Sequence, residues 1–143
     1  MESLRNARYR QRLAEGFLRE AKQDFGLQRW RAVVDNSQLA VENAAKAVLA
    51  LVLPPSRVHD TGHLLSQALD DGLFHEELTQ DVDALIDCAQ TLGRDVHIQT
   101  DYGDEVGGRT PWELFGENDA SEALELARQA TGLASHIVEH RGV

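Results

Sequence analysis

The sequence has one cysteine, Cys88, and no long apolar run. A single cysteine excludes a disulfide framework and a zinc cluster built on several thiolates. No apolar run approaches the ~18 residues that a membrane helix requires, so we expect no membrane span. The N-terminal stretch MESLRNARYRQRL lacks the apolar core of a secretory signal. Together these absences indicate a cytoplasmic protein that does not use the membrane as a partner.

Proline is also scarce, and its three positions divide the chain. Pro54 and Pro55 are adjacent, and Pro111 stands alone. There is no internal repeat, low-complexity tract or linker. The 143 residues are 42% hydrophobic and 27% charged, which is typical of a soluble globular domain. We therefore expect residues 1–143 to form a single domain.

Basic residues are few and unevenly distributed. The chain has 14 Lys and Arg against 24 Asp and Glu, for a net charge of −10. Eight of the basic residues fall within residues 1–31, which also contain four acidic residues, so the net charge is +4 there and −14 in the remainder. The overall acidity argues against broad nonspecific binding of nucleic acid. The positive charge is thus concentrated in the N-terminal segment.

Hydrophobic periodicity predicts helices and no strand. We expect an all-α fold, an up-and-down bundle of four long helices plus one short helix. The glycine-rich residues 93–117, which hold five of the eleven glycines, are expected to form a long loop. Three of the predicted helices cover residues 4–26, 28–53 and 78–92. A short helix begins at a cap formed by Asp60 or Thr61 and ends at Asp70. The last helix begins at a cap formed by Asn118 and ends near residue 140.

Four arginines form a stripe on the first predicted helix. At about 100° per residue, Arg5, Arg8, Arg12 and Arg19 lie within roughly 60° of one another and nearly opposite the apolar face. Arginine binds phosphate and carboxylate groups in a bidentate manner. The stripe is therefore a candidate contact for phosphate, for an acidic partner protein or for a second copy of the chain. The alternative is a solvated outer face.

Two pairs of histidines have a spacing that can hold one metal ion on a helix. These are His59 with His63 and His136 with His140. Neither pair has an evident third ligand, and no phosphate-binding glycine motif is present. We therefore predict no metal site and no cofactor.

Residues 93–115 concentrate groups that can perform chemistry. A histidine close to an arginine, as His97 is to Arg94, can transfer protons while the arginine holds a phosphate. The alternative is that Tyr102, Trp112 and Phe115 hold an irregular loop against the helices while its charges face water.

Four stretches resemble the HEPN domain family, in the family's order and over essentially the whole chain. SQLAVENAAKAVLAL, with Glu42 and Lys46, is similar to the alanine-rich A-x-E-x-A-x-K-A-L helix. GHLLSQAL, with His63, resembles the histidine-leucine segment that follows it. HIQTDYGDE, with Asp101 and Tyr102, resembles the family's YIPTRYPDE segment, and NDASEALELARQA resembles the last helix. The i,i+4 pair Glu42–Lys46 is either a helix-surface ion pair or part of a partner interface.

The resemblance implies a helical bundle that usually forms a homodimer. Related prokaryotic proteins are often companions of a minimal nucleotidyltransferase in a toxin–antitoxin-like pair. Some branches are metal-independent ribonucleases with an Arg-x(4–6)-His motif. The branch with the RYP segment, which this chain resembles more, is associated with binding of a nucleotide or nucleic acid. A dimeric binding module or companion subunit is the function that the resemblance favours for this chain.

Two departures from the family pattern bear on this interpretation. Asp101 replaces the arginine of the RYP segment and Gly103 its proline. Arg94 and His97 have only two residues between them, whereas Arg57 and His63 have the ribonuclease spacing in a different part of the chain. A ribonuclease that uses Arg94 and His97, or less favourably Arg57 and His63, is the first alternative. A purely structural helical dimer is the second.

Overall fold

A computed structural model describes residues 2–54 and 60–141, and their regular secondary structure is α-helical. The all-α prediction is confirmed, because the only β-type pairing in these residues is an isolated antiparallel bridge between Asp104 and Arg109. None of the described helices combines the length and hydropathy that crossing a bilayer requires. The helices are α1 (Glu2–Gly26), α2 (Trp30–Leu49), α3 (Thr61–Asp70), α4 (Thr79–Thr91), α5 (Arg94–Tyr102), α6 (Pro111–Leu114) and α7 (Glu117–Arg141), with a 3₁₀ turn at Glu76–Leu78 before α4.

Helices α1 and α2 form an antiparallel hairpin. The turn between them uses Gln28, whose φ of 59° lies in the left-handed region. Close to the turn, the Asn36 side chain donates to the Asp24 carboxylate at 2.8 Å. Farther along both helices, Arg10 donates to Asn43 Oδ1 at 3.2 Å. The later contact in α2 (Asn43) is made with the earlier residue of α1 (Arg10), and this order shows that the two helices are antiparallel.

Helix α2 is the centre of the bundle. It contacts each of the other six described α-helices. Twelve of its twenty residues are buried, and four of these are alanines with no exposed surface. Small side chains allow neighbouring helices to approach closely on several sides. The fully buried alanines of α2 are Ala40, Ala44, Ala45 and Ala47.

Helices α1 and α7 bury alanines at regular intervals, seven residues apart in α1 and three or four residues apart in α7. These intervals keep the alanines on one side of each helix. Gln11 of α1 adds a buried polar link, because its Nε2 donates to the Thr131 carbonyl of α7 at 3.1 Å. These alanines are Ala7, Ala14 and Ala21 in α1 and Ala120, Ala123, Ala127, Ala130 and Ala134 in α7.

The predicted loop over residues 93–117 is wrong, because this segment contains α5 and α6. Only Thr100 is buried in α5, so the helix has no apolar period for sequence analysis to detect. Helix α6 did carry a local signal. Thr110 and Glu113 form a reciprocal capping box, and Pro111 occupies the first turn, both typical of a helix start.

Two predicted helix boundaries are also wrong. Helix α2 ends at Leu49 rather than at residue 53, because the N–H groups of Leu51 and Val52 donate to carbonyls three residues earlier. Such bonds form a tighter turn than an α-helix. Asn118 does not cap α7, which begins at Glu117. Instead, the Gly116 N–H donates to the Asp119 carboxylate at 2.9 Å.

Candidate functional site

The predicted arginine stripe lies on the exposed side of α1. Arg5, Arg8, Arg12 and Arg19 are all exposed, and they extend over about 21 Å at 1.5 Å per residue. The ion pairs formed among the described residues involve none of the four. The guanidinium of Arg12 lies 5.7 Å from the ring centroid of Tyr9. The stripe therefore offers four solvent-facing cations, with an exposed aromatic ring beside them.

A cleft between α1 and α2 opens next to the stripe, and we call it the α1–α2 cleft. It has a volume of about 240 Å³, and its polar lining includes Tyr9 and Arg10 of α1 and Lys46 of α2. Leu49 of α2 and Leu64 of α3 supply part of an apolar wall. The cleft thus combines an aromatic ring and two cations with an apolar surface.

The ion pair between Glu42 and Lys46 separates this cleft from a second one. Lys46 Nζ donates to Glu42 Oε2 at 3.5 Å, and both side chains are about three-quarters buried. Lys46 lines the α1–α2 cleft and Glu42 lines the other cleft. The pair predicted from the i,i+4 spacing is present. Its place in the bundle is more enclosed than that of an ordinary helix-surface pair.

The second cleft lies between α2, α3, the end of α4 and the start of α5, and we call it the α2–α5 cleft. Its volume is about 550 Å³. It brings together three residues that the sequence analysis singled out in separate segments, namely Glu42, His63 and Arg94. Its lining also includes Gln38 of α2, which the sequence analysis missed. The sequence did contain a signal for Gln38, because it is a polar residue on the otherwise apolar face of helix α2.

Arg94 and His97 occupy one turn of α5 but differ in environment. Arg94 is exposed and lines the α2–α5 cleft, whereas His97 does not line it. His97 is half-buried, and its Nδ1 is buried without a hydrogen-bond partner in the described part of the chain. The structure therefore does not bring these two side chains into one cleft. Arg57, the other predicted partner of a histidine, lies outside the described residues.

Asp101 pairs with an arginine that the sequence analysis did not identify. Arg31 of α2 donates through Nε to the Thr100 carbonyl at 2.6 Å, and its Nη2 lies 3.4 Å from Asp101 Oδ1. Its guanidinium also lies 5.7 Å from the ring centroid of Trp112. The Thr100 hydroxyl lies within hydrogen-bond distance of two acceptors, Asp35 Oδ1 at 3.2 Å and the His97 carbonyl at 2.7 Å. Polar contacts to α2 thus hold α5 in place.

The aromatic residues of this segment only partly hold it against the bundle. Phe115 packs against the core. Tyr102 and Trp112 remain 66% and 72% exposed, so the expectation that they pack inward is wrong. Together with Ile98, they leave an apolar surface on α5 and α6.

Cys88, His136 and His140 have structural surroundings that explain them, and His59 lies outside the described residues. Burial, with a smaller contribution from the Asp87 charge, raises the pKa of the Cys88 thiol to about 11, so it remains a thiol at neutral pH. His136 lies 2.8 Å from Asp81, and His140 lies 3.4 Å from Glu77. Both contacts join α7 to the region of α4. No cluster of three or more histidine, cysteine or acidic side chains suited to a metal ion occurs within residues 2–54 and 60–141.

A family model described as the HEPN domain matches residues 7–137, which is nearly the whole chain. The chain belongs to the HEPN domain family. Among solved structures, this HEPN domain is similar to the protein TT1696 from Thermus thermophilus, with a TM-score of 0.66 at 22% identity, over 92% of this chain and 97% of that chain. That likeness shows the fold. No curated protein sequence matches the chain significantly.

Membership confirms the resemblance seen in the four sequence stretches and identifies a module of the nucleotide- and nucleic-acid-related kind. This HEPN domain departs from the family pattern at Asp101, whose carboxylate pairs with Arg31. The positive charge next to this position therefore comes from α2.

Proposed function

We propose that this HEPN domain binds single-stranded RNA through the arginine stripe of α1. The observation that carries the proposal is the stripe itself. Four exposed arginines lack an acidic partner among the described residues, in a chain whose net charge is −10. In so acidic a chain, acidic side chains are abundant, so the absence of such partners favours an external anion. RNA phosphates are the anions that a line of arginines suits.

The groups beside the stripe favour a single strand over a duplex. Tyr9 is about half exposed, and it lies at the edge of both the stripe and the α1–α2 cleft. Proteins that bind single strands combine cations that follow the phosphates with aromatic rings on which bases stack. Arg10 adds positive charge at the same cleft, where the Lys46 ammonium is paired with Glu42. An unstacked base would enter here while the adjoining phosphates lie along α1.

We also propose a more specific role, in which the domain forms a homodimer and is the companion of a minimal nucleotidyltransferase in a toxin–antitoxin-like pair. Membership of the HEPN family supports the homodimer, since HEPN domains often dimerise. The exposed apolar side chains of Ile98, Tyr102 and Trp112 support a protein contact at α5 and α6. Purification of the native protein from its own cells tests both parts. We expect a complex with twice the 15.9 kDa chain mass and a nucleotidyltransferase at equal stoichiometry. A monomer without a partner would contradict both.

Fluorescence anisotropy with a labelled single-stranded RNA, over a series of salt concentrations, tests the RNA proposal. Each phosphate contact on a single strand contributes about 0.7 to the slope of log K against log salt. If all four stripe arginines make one contact each, the variant R5Q/R8Q/R12Q/R19Q loses about 2.8 from this slope. Two single substitutions provide a test and its control: Arg12→Glu on the stripe is the test, and Arg128→Glu on α7 is the control. Both change the charge equally, and only the first should weaken binding.

Wild-type affinity and slope in the fourfold variant would overturn the proposal. The same samples also test the ribonuclease alternative. Cleavage of the RNA that is lost in His97→Ala, in a variant that stays folded, would favour that alternative. Equal binding of a single-stranded DNA of the same sequence would broaden the ligand class to nucleic acid in general.

A further inference from the structure

The α2–α5 cleft ends at the N-terminus of α5. Gly93 precedes the helix in an extended conformation, and no side chain caps it. The first bond of the helix joins the His97 N–H to the Gly93 carbonyl at 3.3 Å, so the N–H groups of Arg94, Asp95 and Val96 have no partner within the helix. Gly93 through Val96 all line the cleft. The positive end of a nine-residue helix therefore faces this space and favours an anion.

Gln38 gives an independent indication of a ligand in the same cleft. It projects from α2 and is only 2% exposed, yet it lines the cleft. Its Oε1 is buried and has no hydrogen-bond partner in the described part of the chain. Buried polar atoms in folded proteins are nearly always paired. An amide oxygen only accepts, so the missing partner is an O–H or N–H group.

Two of the three carboxylates that line the cleft are already engaged. Lys46 donates to Glu42 at 3.5 Å. Asp60 caps α3, since its Oδ1 accepts from the His63 N–H at 3.1 Å. Asp95 is the third, and its charge opposes an anion at α5, but the Arg94 guanidinium next to it offsets that charge. The Arg94 guanidinium and the free N–H groups at the start of α5 are therefore the groups in this cleft that favour a phosphate.

We propose that the α2–α5 cleft binds a sugar phosphate. The phosphate lies on the N-terminus of α5 beside Arg94, and a sugar hydroxyl donates to Gln38 Oε1. The volume of about 550 Å³ lies within the range of small-molecule sites. The site shares no residue with the arginine stripe, so it stands whether or not the stripe binds RNA.

Calorimetric titration of the full chain with ribose 5-phosphate tests the proposal. Inorganic phosphate and free ribose are the comparison ligands, because each supplies only half of the recognised chemistry. We expect ribose 5-phosphate to bind more tightly than either. Adenosine monophosphate then identifies the source of the sugar phosphate. A gain in affinity over ribose 5-phosphate assigns it to a nucleotide, and no gain assigns it to a simple sugar phosphate.

Three variants assign the binding to the cleft. Arg94→Gln should weaken the binding of ribose 5-phosphate about tenfold, the effect of one lost charge-assisted hydrogen bond. Arg128→Gln, which removes the same charge from exposed α7, should leave it unchanged. Gln38→Leu should abolish the preference for ribose 5-phosphate over inorganic phosphate.

A measurement on the wild-type chain keeps the proposal testable if Gln38→Leu does not fold. On saturation with ribose 5-phosphate, the NMR amide resonances of Arg94, Asp95 and Val96 should shift. Unmoved resonances, or equal affinity of wild type and Arg94→Gln, would overturn the proposal. Loss of binding in R5Q/R8Q/R12Q/R19Q but not in Arg94→Gln would place the ligand on α1, and this result would overturn it as well.

Discussion

Replacement of Arg31 by alanine should release α5 and α6 from the rest of the bundle. Its guanidinium makes three contacts with this segment. Nε donates to the Thr100 carbonyl at 2.6 Å, Nη2 lies 3.4 Å from the Asp101 carboxylate, and the group lies over the Trp112 ring at 5.7 Å. The apolar contacts of α5 are few, since Thr100 is its one buried residue. Loss of these polar contacts should therefore destabilise α5.

The size of the effect follows from the three contacts. A hydrogen bond from a charged group contributes about 1.5–3 kcal/mol. A cation–π contact with a ring as exposed as Trp112, at 72%, contributes about 0.5–1 kcal/mol. Solvent screens the ion pair because the Asp101 side chain is 43% exposed, and we assign it about zero. The sum predicts that Arg31→Ala lowers the free energy of unfolding by about 2–4 kcal/mol.

Urea unfolding measures this loss, and hydrogen exchange of the amides of residues 94–102 shows whether α5 is the part that opens. Arg19→Ala, at an exposed position with no ion pair among the described residues, is the control and should change stability little. Arg31→Lys should recover less than half of the loss, because an ammonium group does not supply the planar fork of donors. A loss below about 0.5 kcal/mol, the usual range for surface changes, would refute the reasoning. Unchanged exchange in α5 would refute it equally.

Two further predictions concern Gly103 and Cys88. Gly103 has a φ of 70°, and a Cβ there would collide with the Arg109 carbonyl, so Gly103→Ala should destabilise the protein by at least about 1 kcal/mol in urea unfolding. Gly132→Ala, within α7 and with open space around it, should instead stabilise the protein by up to about 1 kcal/mol; destabilisation by both changes to the same extent would contradict this. Burial raises the pKa of Cys88 from 9.0 to about 11, so between these pH values the folded chain keeps the thiol proton that the unfolded chain loses. Iodoacetamide should therefore react with native Cys88 far more slowly than with the unfolded chain at pH 9, and equal rates would disprove the burial argument.

Sequence patterns predicted the four long helices because their burial is periodic. The buried alanines recur every seven residues in α1 and every three or four residues in α7, so they lie on one side of each helix. Helix α5 escaped detection because its attachment depends on contacts that no local pattern records. Arg31 and Thr100 are 69 residues apart in the sequence, and Asp35 and Thr100 are 65 apart.

The candidate sites were predictable to different degrees. Helical geometry alone places Arg5, Arg8, Arg12 and Arg19 on one side of α1, so the stripe could be identified from the sequence. The α2–α5 cleft could not, because Gln38 and Arg94 come from helices that meet only in the folded bundle. The missing hydrogen-bond partner of Gln38 is likewise a property of burial.

The sequence by itself determined the helical class, the HEPN family and the basic side of α1. Each depends on residue identity and on spacing within a single helix. Because a helix has 3.6 residues per turn, this spacing determines which side chains lie on the same face. Only the tertiary structure decided which residues meet across helices. It joined Glu42, His63 and Arg94 in one cleft, separated His97 from that cleft, and gave Asp101 a partner in Arg31. The physical reason is that packing around α2 fixes the distances between segments far apart in the chain, and local periodicity carries no information about those distances.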